Sequence, residues 1–90
     1  MTFKIERTPG ESYTTIKIIG RVGMKAVGEL QAELDVGGPS VVFDLGEVSL
    51  VDVEVIQFLG ACEARGIRLL NCSTLIRRWI DRERETASDR

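Results

Sequence analysis

Ninety residues make one small domain, with room for a single core and none for a second lobe. A hydrophobic share of 43%, with no apolar run near the roughly 20 residues of a membrane helix, predicts a soluble globular chain. A net charge of -2 speaks against nucleic acid, and the absence of histidine removes Ser-His and Cys-His nucleophile pairs, an imidazole base and His-ligated metal. The expectation is therefore a non-enzymatic protein without cofactor or metal. Met1 to Lys4 lead straight into alternating sequence, with no positive segment followed by an apolar block, so the expected compartment is the cytoplasm.

Phe3 and Ile5 alternate with Lys4 and Glu6, the period-two pattern of a strand with one wet face. Pro9-Gly10 break it. The pattern resumes from Tyr13 to Ile19, so the two runs predict an antiparallel hairpin around a loop from Thr8 to Ser12, the second strand ending at Gly20. Val27, Leu30 and Leu34 then predict an amphipathic helix, weakened by Gly28 and stopped by Gly37-Gly38-Pro39.

Val41-Val42-Phe43 is a continuous apolar run suited to a strand buried on both faces, and Asp44 ends it. Leu45 to Val51, with Gly46, is taken as a connection. Asp52 is placed to cap a helix from Val53 with its side chain. On that helix Val55, Ile56, Leu59 and Cys62 share an apolar side, while Glu54, Gln57 and Ala61 face solvent; Gly66 closes it. Ile67–Leu70, reached by a helical crossover, predicts a short strand parallel to Val41–Phe43. Ser73 caps a last helix with Leu75, Ile76, Trp79 and Ile80 as its apolar stripe and Trp79 as its anchor.

Arg77, Arg78, Arg82 and Arg84 on that helix are interleaved with Asp81, Glu83 and Glu85, the pattern of a solvated face. Residues 86–90 have nothing to bury and are expected to form a disordered tail after a domain spanning 1–85. Cys62 and Cys72 are expected as reduced core residues, and Asp44, Glu47, Asp52 and Glu54 as caps and surface charges rather than a catalytic dyad. The fold class is α/β: one domain with a mixed four-stranded sheet, an antiparallel N-terminal hairpin, parallel crossovers and about three helices.

The stretch VVFDLGEVSLVDVEVIQFL resembles the centre of STAS domains, the sulfate-transporter and anti-sigma-factor-antagonist family. There an apolar strand is followed by Asp-Leu, a few residues, and an apolar residue with Asp-Ser-Ser-Gly-Leu opening a helix. Asp44-Leu45 and Val51-Asp52 match, and GIRLLNCSTLIRRWI resembles the downstream glycine, strand, Asn and serine-capped helix. The resemblance, from about Tyr13 to Ile80, implies a STAS-like fold and a protein-docking role of bacterial type. Val53-Glu54-Val55 replaces Ser-Ser-Gly, so the serine that a partner kinase phosphorylates in regulated members is missing, with Glu54 at its position.

The resemblance implies a stand-alone anti-sigma factor antagonist without phosphorylation control, docking to an anti-sigma factor or kinase-like regulator through Ser49, Asp52, Val53, Glu54 and Gln57. The alternative it implies is a small STAS subunit of a larger assembly, such as a lipid-transport ATPase complex. The family usually adds a further strand and helix, so Ile67–Leu70 is expected as a sheet edge, covered by the last helix or open to a partner, including a second copy of the chain.

Overall fold

The computed structural model describes residues 3–88. The chain runs β1 (Phe3–Pro9), β2 (Thr14–Val22), α1 (Met24–Gly37), a one-turn 3-10 helix (Gly38–Ser40), β3 (Val41–Val51), α2 (Val53–Ala64), β4 (Arg68–Leu70) and α3 (Thr74–Ser88). The four strands form one sheet in the order β1-β2-β3-β4, the first pair antiparallel and the other two parallel. This is the expected α/β architecture. Both crossovers step the same way along the sheet, which for connections of one hand puts α1 and α2 on the same face. They touch each other there, and α3 packs against α2.

Strand alternation decides what lies beneath those helices. Ile16, Ile18, Val41, Phe43 and Leu45 point into the core with Leu30 and Leu34 of α1, Val55, Ile56 and Leu59 of α2, and Ile76 and Ile80 of α3. The opposite sheet face is mixed, with Lys4 beside Ile19, Thr15 beside Val42 and Asp44 beside Leu70 in register. Glu6 and Lys17 are register partners, as are Lys17 and Asp44, and Lys17 Nζ lies 2.6 Å from Glu47 Oε2. Val42 is also buried but stands outside the core cluster, between Thr15 and Arg68 in register. The Val41–Phe43 run is thus buried on both faces, as expected.

The sharpest departure is the length of β3. Leu45 to Val51 is strand rather than connection, because β3 carries extra residues against β2: Lys17 and Ile19 pair with Asp44 and Glu47, and Gly20 and Arg21 with Val48 and Leu50. Each bulge shifts the alternation by one residue. Leu45, Val48 and Val51, at three-residue spacing, consequently all pack inward, although no period-two pattern connects them. The same bulged pairing carries β2 through Gly20 to Val22 instead of ending it.

Helix ends follow their local chemistry. Past α2, Gly66 takes φ 96°, which a residue with a Cβ resists, and its N–H reaches the Glu63 carbonyl while that of Ile67 reaches Cys62, both at 3.0 Å. Ser73 caps α3 by accepting from the Ile76 N–H at 3.2 Å. Leu75 does not join the apolar stripe: it is 74% exposed, and Ile76 and Ile80 with half-buried Trp79 make the contact instead. Arg77 and Arg84 both bind Glu63 of α2, so the basic face of α3 is in part a clasp between helices rather than merely solvated. Cys62 is buried and free, whereas Cys72, expected in the core, is only half-buried and also free. α3 is helical to Ser88, into the segment expected as a tail; Asp89 and Arg90 lie outside the described residues.

Candidate functional site

β2 and β3 end side by side, with Arg21 beside Leu50 and Val22 beside Val51, and each strand turns into a helix after one residue. Gly23 and Asp52 are those residues. The Asp52 N–H donates to the Val22 carbonyl at 3.2 Å, and the Asp52 carbonyl accepts from Val55 and Ile56, so the two turns are tied together and α2 starts where expected. The Asp52 side chain, however, makes no capping hydrogen bond. Its Oδ2 lies over Gly23, where a Cβ would stand 3.2 Å away, so the carboxylate leans across to the start of α1 instead of back onto α2.

Arg21, Val22, Gly23, Leu50 and Asp52 line a hollow of about 100 Å³ between these turns. Drug-sized ligands need roughly 300 Å³ or more, so this hollow is well below that size. Of the six exposed large hydrophobic residues among those described, three stand at this end: Met24 at 65%, Leu50 at 55% and Val53 at 38% exposure. Arg21 and Lys25 lie on the α1 side, and Asp52 and Glu54 on the α2 side. Among the described residues none of the four forms an ion pair.

Each anticipated docking residue is exposed. Ser49 is the extra residue at the second bulge of β3, Val53 and Glu54 form the first turn of α2, and Gln57 follows one turn later. Gln57 differs from the rest in leaning away, its Nε2 donating to Glu83 Oε1 of α3 at 3.4 Å. Arg21, Met24, Lys25 and Leu50 were not legible as part of this surface. They belong to it only because β2 and β3 end together, whereas by sequence alone Leu45 to Val51 reads as a connection.

Asp44 has a different task. Its Oδ1 accepts from the Gly46 N–H at 2.9 Å and from Asn71 Nδ2 at 3.0 Å, fastening the first bulge of β3 to the end of β4. Those two bonds, Asn71 foremost, hold its carboxyl below the usual range. Asn71 sits in the left-handed region at φ 56°, a conformation asparagine tolerates better than most residues. A Cβ on residue 46 would come within 3.2 Å of both Asn71 Cβ and Asp44 Oδ1, so any side chain there would have to push the lock apart by a few tenths of an ångström.

The four acids considered for chemistry are therefore divided: Asp44 in this lock, Glu47 on Lys17, Asp52 over Gly23 and Glu54 outward. Among the described residues no group of three His, Cys, Asp or Glu is placed to hold a metal ion. Burial pushes the Cys62 thiol up to about 11 and raises that of Cys72, which keeps both protonated and poorly nucleophilic near neutrality. No helix among the described residues is long and apolar enough to cross a membrane. The chain matches no family model and none of the curated proteins with which it was compared.

Proposed function

We propose that this chain is a non-enzymatic, STAS-like interaction module that docks to a protein partner through the paired strand ends and the first turn of α2. The observation that carries the proposal is the clustering of Met24, Leu50 and Val53 with unpaired charges around a hollow smaller than drug-sized ligands need. Apolar centres with a charged rim are the usual anatomy of protein interfaces. The element order, with Asp44 and Asn71 fastened together and Asp52 opening α2, agrees with the family likeness. The role closest to that likeness is a stand-alone anti-sigma factor antagonist without phosphorylation control, working in the bacterial cytoplasm. Glu54 then supplies a fixed negative charge where regulated relatives carry a serine. A carboxylate in a first helical turn is also favoured by the helix dipole by about 0.3–1 kcal/mol, so charge and helix start need separate tests.

Affinity copurification from the native cell, with mass spectrometry, identifies the partner class. A kinase-like sigma regulator supports the proposal, and an ATPase subunit points instead to a small STAS component of a transport complex. With the partner in hand, Glu54→Gln, Glu54→Ser and Glu54→Lys are expected to weaken binding in increasing order at low salt, where charge effects are least screened. Equal binding by all three would remove Glu54 from the interface.

A further inference from the structure

The docking end is charged in an ordered way. Arg21 and Lys25 flank its α1 side, Glu54 with neighbouring Asp52 flanks its α2 side, and exposed Met24, Leu50 and Val53 stand at the same end. Arg21 and Asp52 line the same hollow yet do not bridge it, and Lys25 and Glu54, each in the first turn of its helix, also have no ion-pair partner among the described residues. Opposite charges on opposite sides of an apolar centre make a surface complementary to itself. A two-fold rotation brings the positive flank of one copy onto the negative flank of the other and apolar centre onto apolar centre, the arrangement of an isologous dimer.

We infer that a second copy of this chain occupies the docking end, with Lys25 facing the partner's Glu54 and Leu50 at the centre of the contact. The patch is a handful of residues, at the low end of interface sizes, so the dimer is weak and reversible. Self-association through this end covers the surface that the outside partner needs, which makes the dimer a reserve form released by partner binding. The inference shares its surface with the docking proposal but depends on charge symmetry, not on the partner's identity. The sheet edges take no part in it.

The test is sedimentation equilibrium of the full chain at low salt, from about 10 μM to about 1 mM, the range in which a small transient interface is populated. Wild type is expected to show a monomer–dimer equilibrium. Lys25→Glu and Glu54→Lys each place like charges opposite one another twice in the dimer, and each is expected to weaken it about tenfold. The double variant carrying both changes restores opposite charges and is expected to return to within about threefold of wild type. Leu50→Ser, which leaves every charge in place, is expected to weaken it as well.

A monomer throughout the range, single charge variants that dimerise as wild type does, or a double variant no better than the single ones would overturn the inference. The failure modes separate cleanly. A monomer that still captures a partner through Glu54 removes the dimer and leaves the docking proposal standing, whereas a charge-swappable dimer that captures nothing does the reverse.

Discussion

The two halves of β3 belong to one strand and have opposite duties. Val41 to Asp44 is paired with β2 on one side and, from Val42, with β4 on the other; its Val41, Val42 and Phe43 are buried. Gly46 to Val51 is paired with β2 alone, carries the remainder of the bulged register, and leaves Glu47, Ser49 and Leu50 exposed. The boundary between them is the Asp44–Gly46–Asn71 lock, where β4 ends. One strand thereby serves as core at its start and as the platform of a surface at its end, so a substitution's effect should depend on which side of Gly46 it falls.

The largest expected effect is on the buried half. Phe43 is fully buried, with its ring tilted against Phe58 at a centroid separation of 6.2 Å. Phe43→Ala is expected to cost about 3–5 kcal/mol in denaturant unfolding, and a loss within about 0.5 kcal/mol would mean that this half is not the core. At the boundary the expectation is intermediate. Asp44→Ala removes the acceptor for two hydrogen bonds and should cost about 1–3 kcal/mol.

The lock also has a pH signature. Asp44 and Glu63 have carboxyls held below their ordinary values in the folded chain, Asp44 by Asn71 and the Gly46 N–H, Glu63 by Arg77. Their stabilisation is complete above the unfolded carboxylate values and is lost as pH falls through the depressed folded ones, so stability should decline below about pH 5. Asp44→Asn with Glu63→Gln should flatten that decline, and an unchanged acid slope in urea titrations would assign it elsewhere. The smallest expected effect lies on the exposed half. Leu50→Ser is expected to leave stability within about 0.5 kcal/mol of wild type, and a loss above about 2 kcal/mol would make Leu50 a core residue.

The same division explains what could be read from the sequence. The first half of β3 was legible because continuous β-branched and aromatic residues have one good home, a strand covered on both faces; the hairpin and the helices followed from periodicity, and the parallel β4 from its helical crossover. The second half was not. Two bulges turn an alternating pattern into inward residues at 45, 48 and 51, which no periodic template describes, so the segment passed for a loop.

Ser49, Val53 and Glu54 could be named from the sequence because the resemblance points to their stretch, whereas Arg21, Met24 and Lys25 lie a helix and most of a strand away in sequence. Only the parallel pairing of Arg21 with Leu50 brings them to the same place. Asp52 was placed correctly but given the wrong bond, since a carboxylate at a helix start can turn either to its own helix or to a neighbour, and Gly23 leaves room for the latter.

The most direct test of the docking surface is a parallel copurification with four baits: wild type, Leu50→Ser, Glu54→Lys and Leu75→Ser. Leu75 is more exposed than Leu50 but stands on α3, away from the paired strand ends, and so controls for loss of any exposed leucine. With all four proteins folded to the same thermal midpoint, wild type and Leu75→Ser are predicted to retain the partner, and Leu50→Ser and Glu54→Lys to lose most of it. Retention by Leu50→Ser and Glu54→Lys, with loss by Leu75→Ser, would contradict the account and move the docking surface to α3.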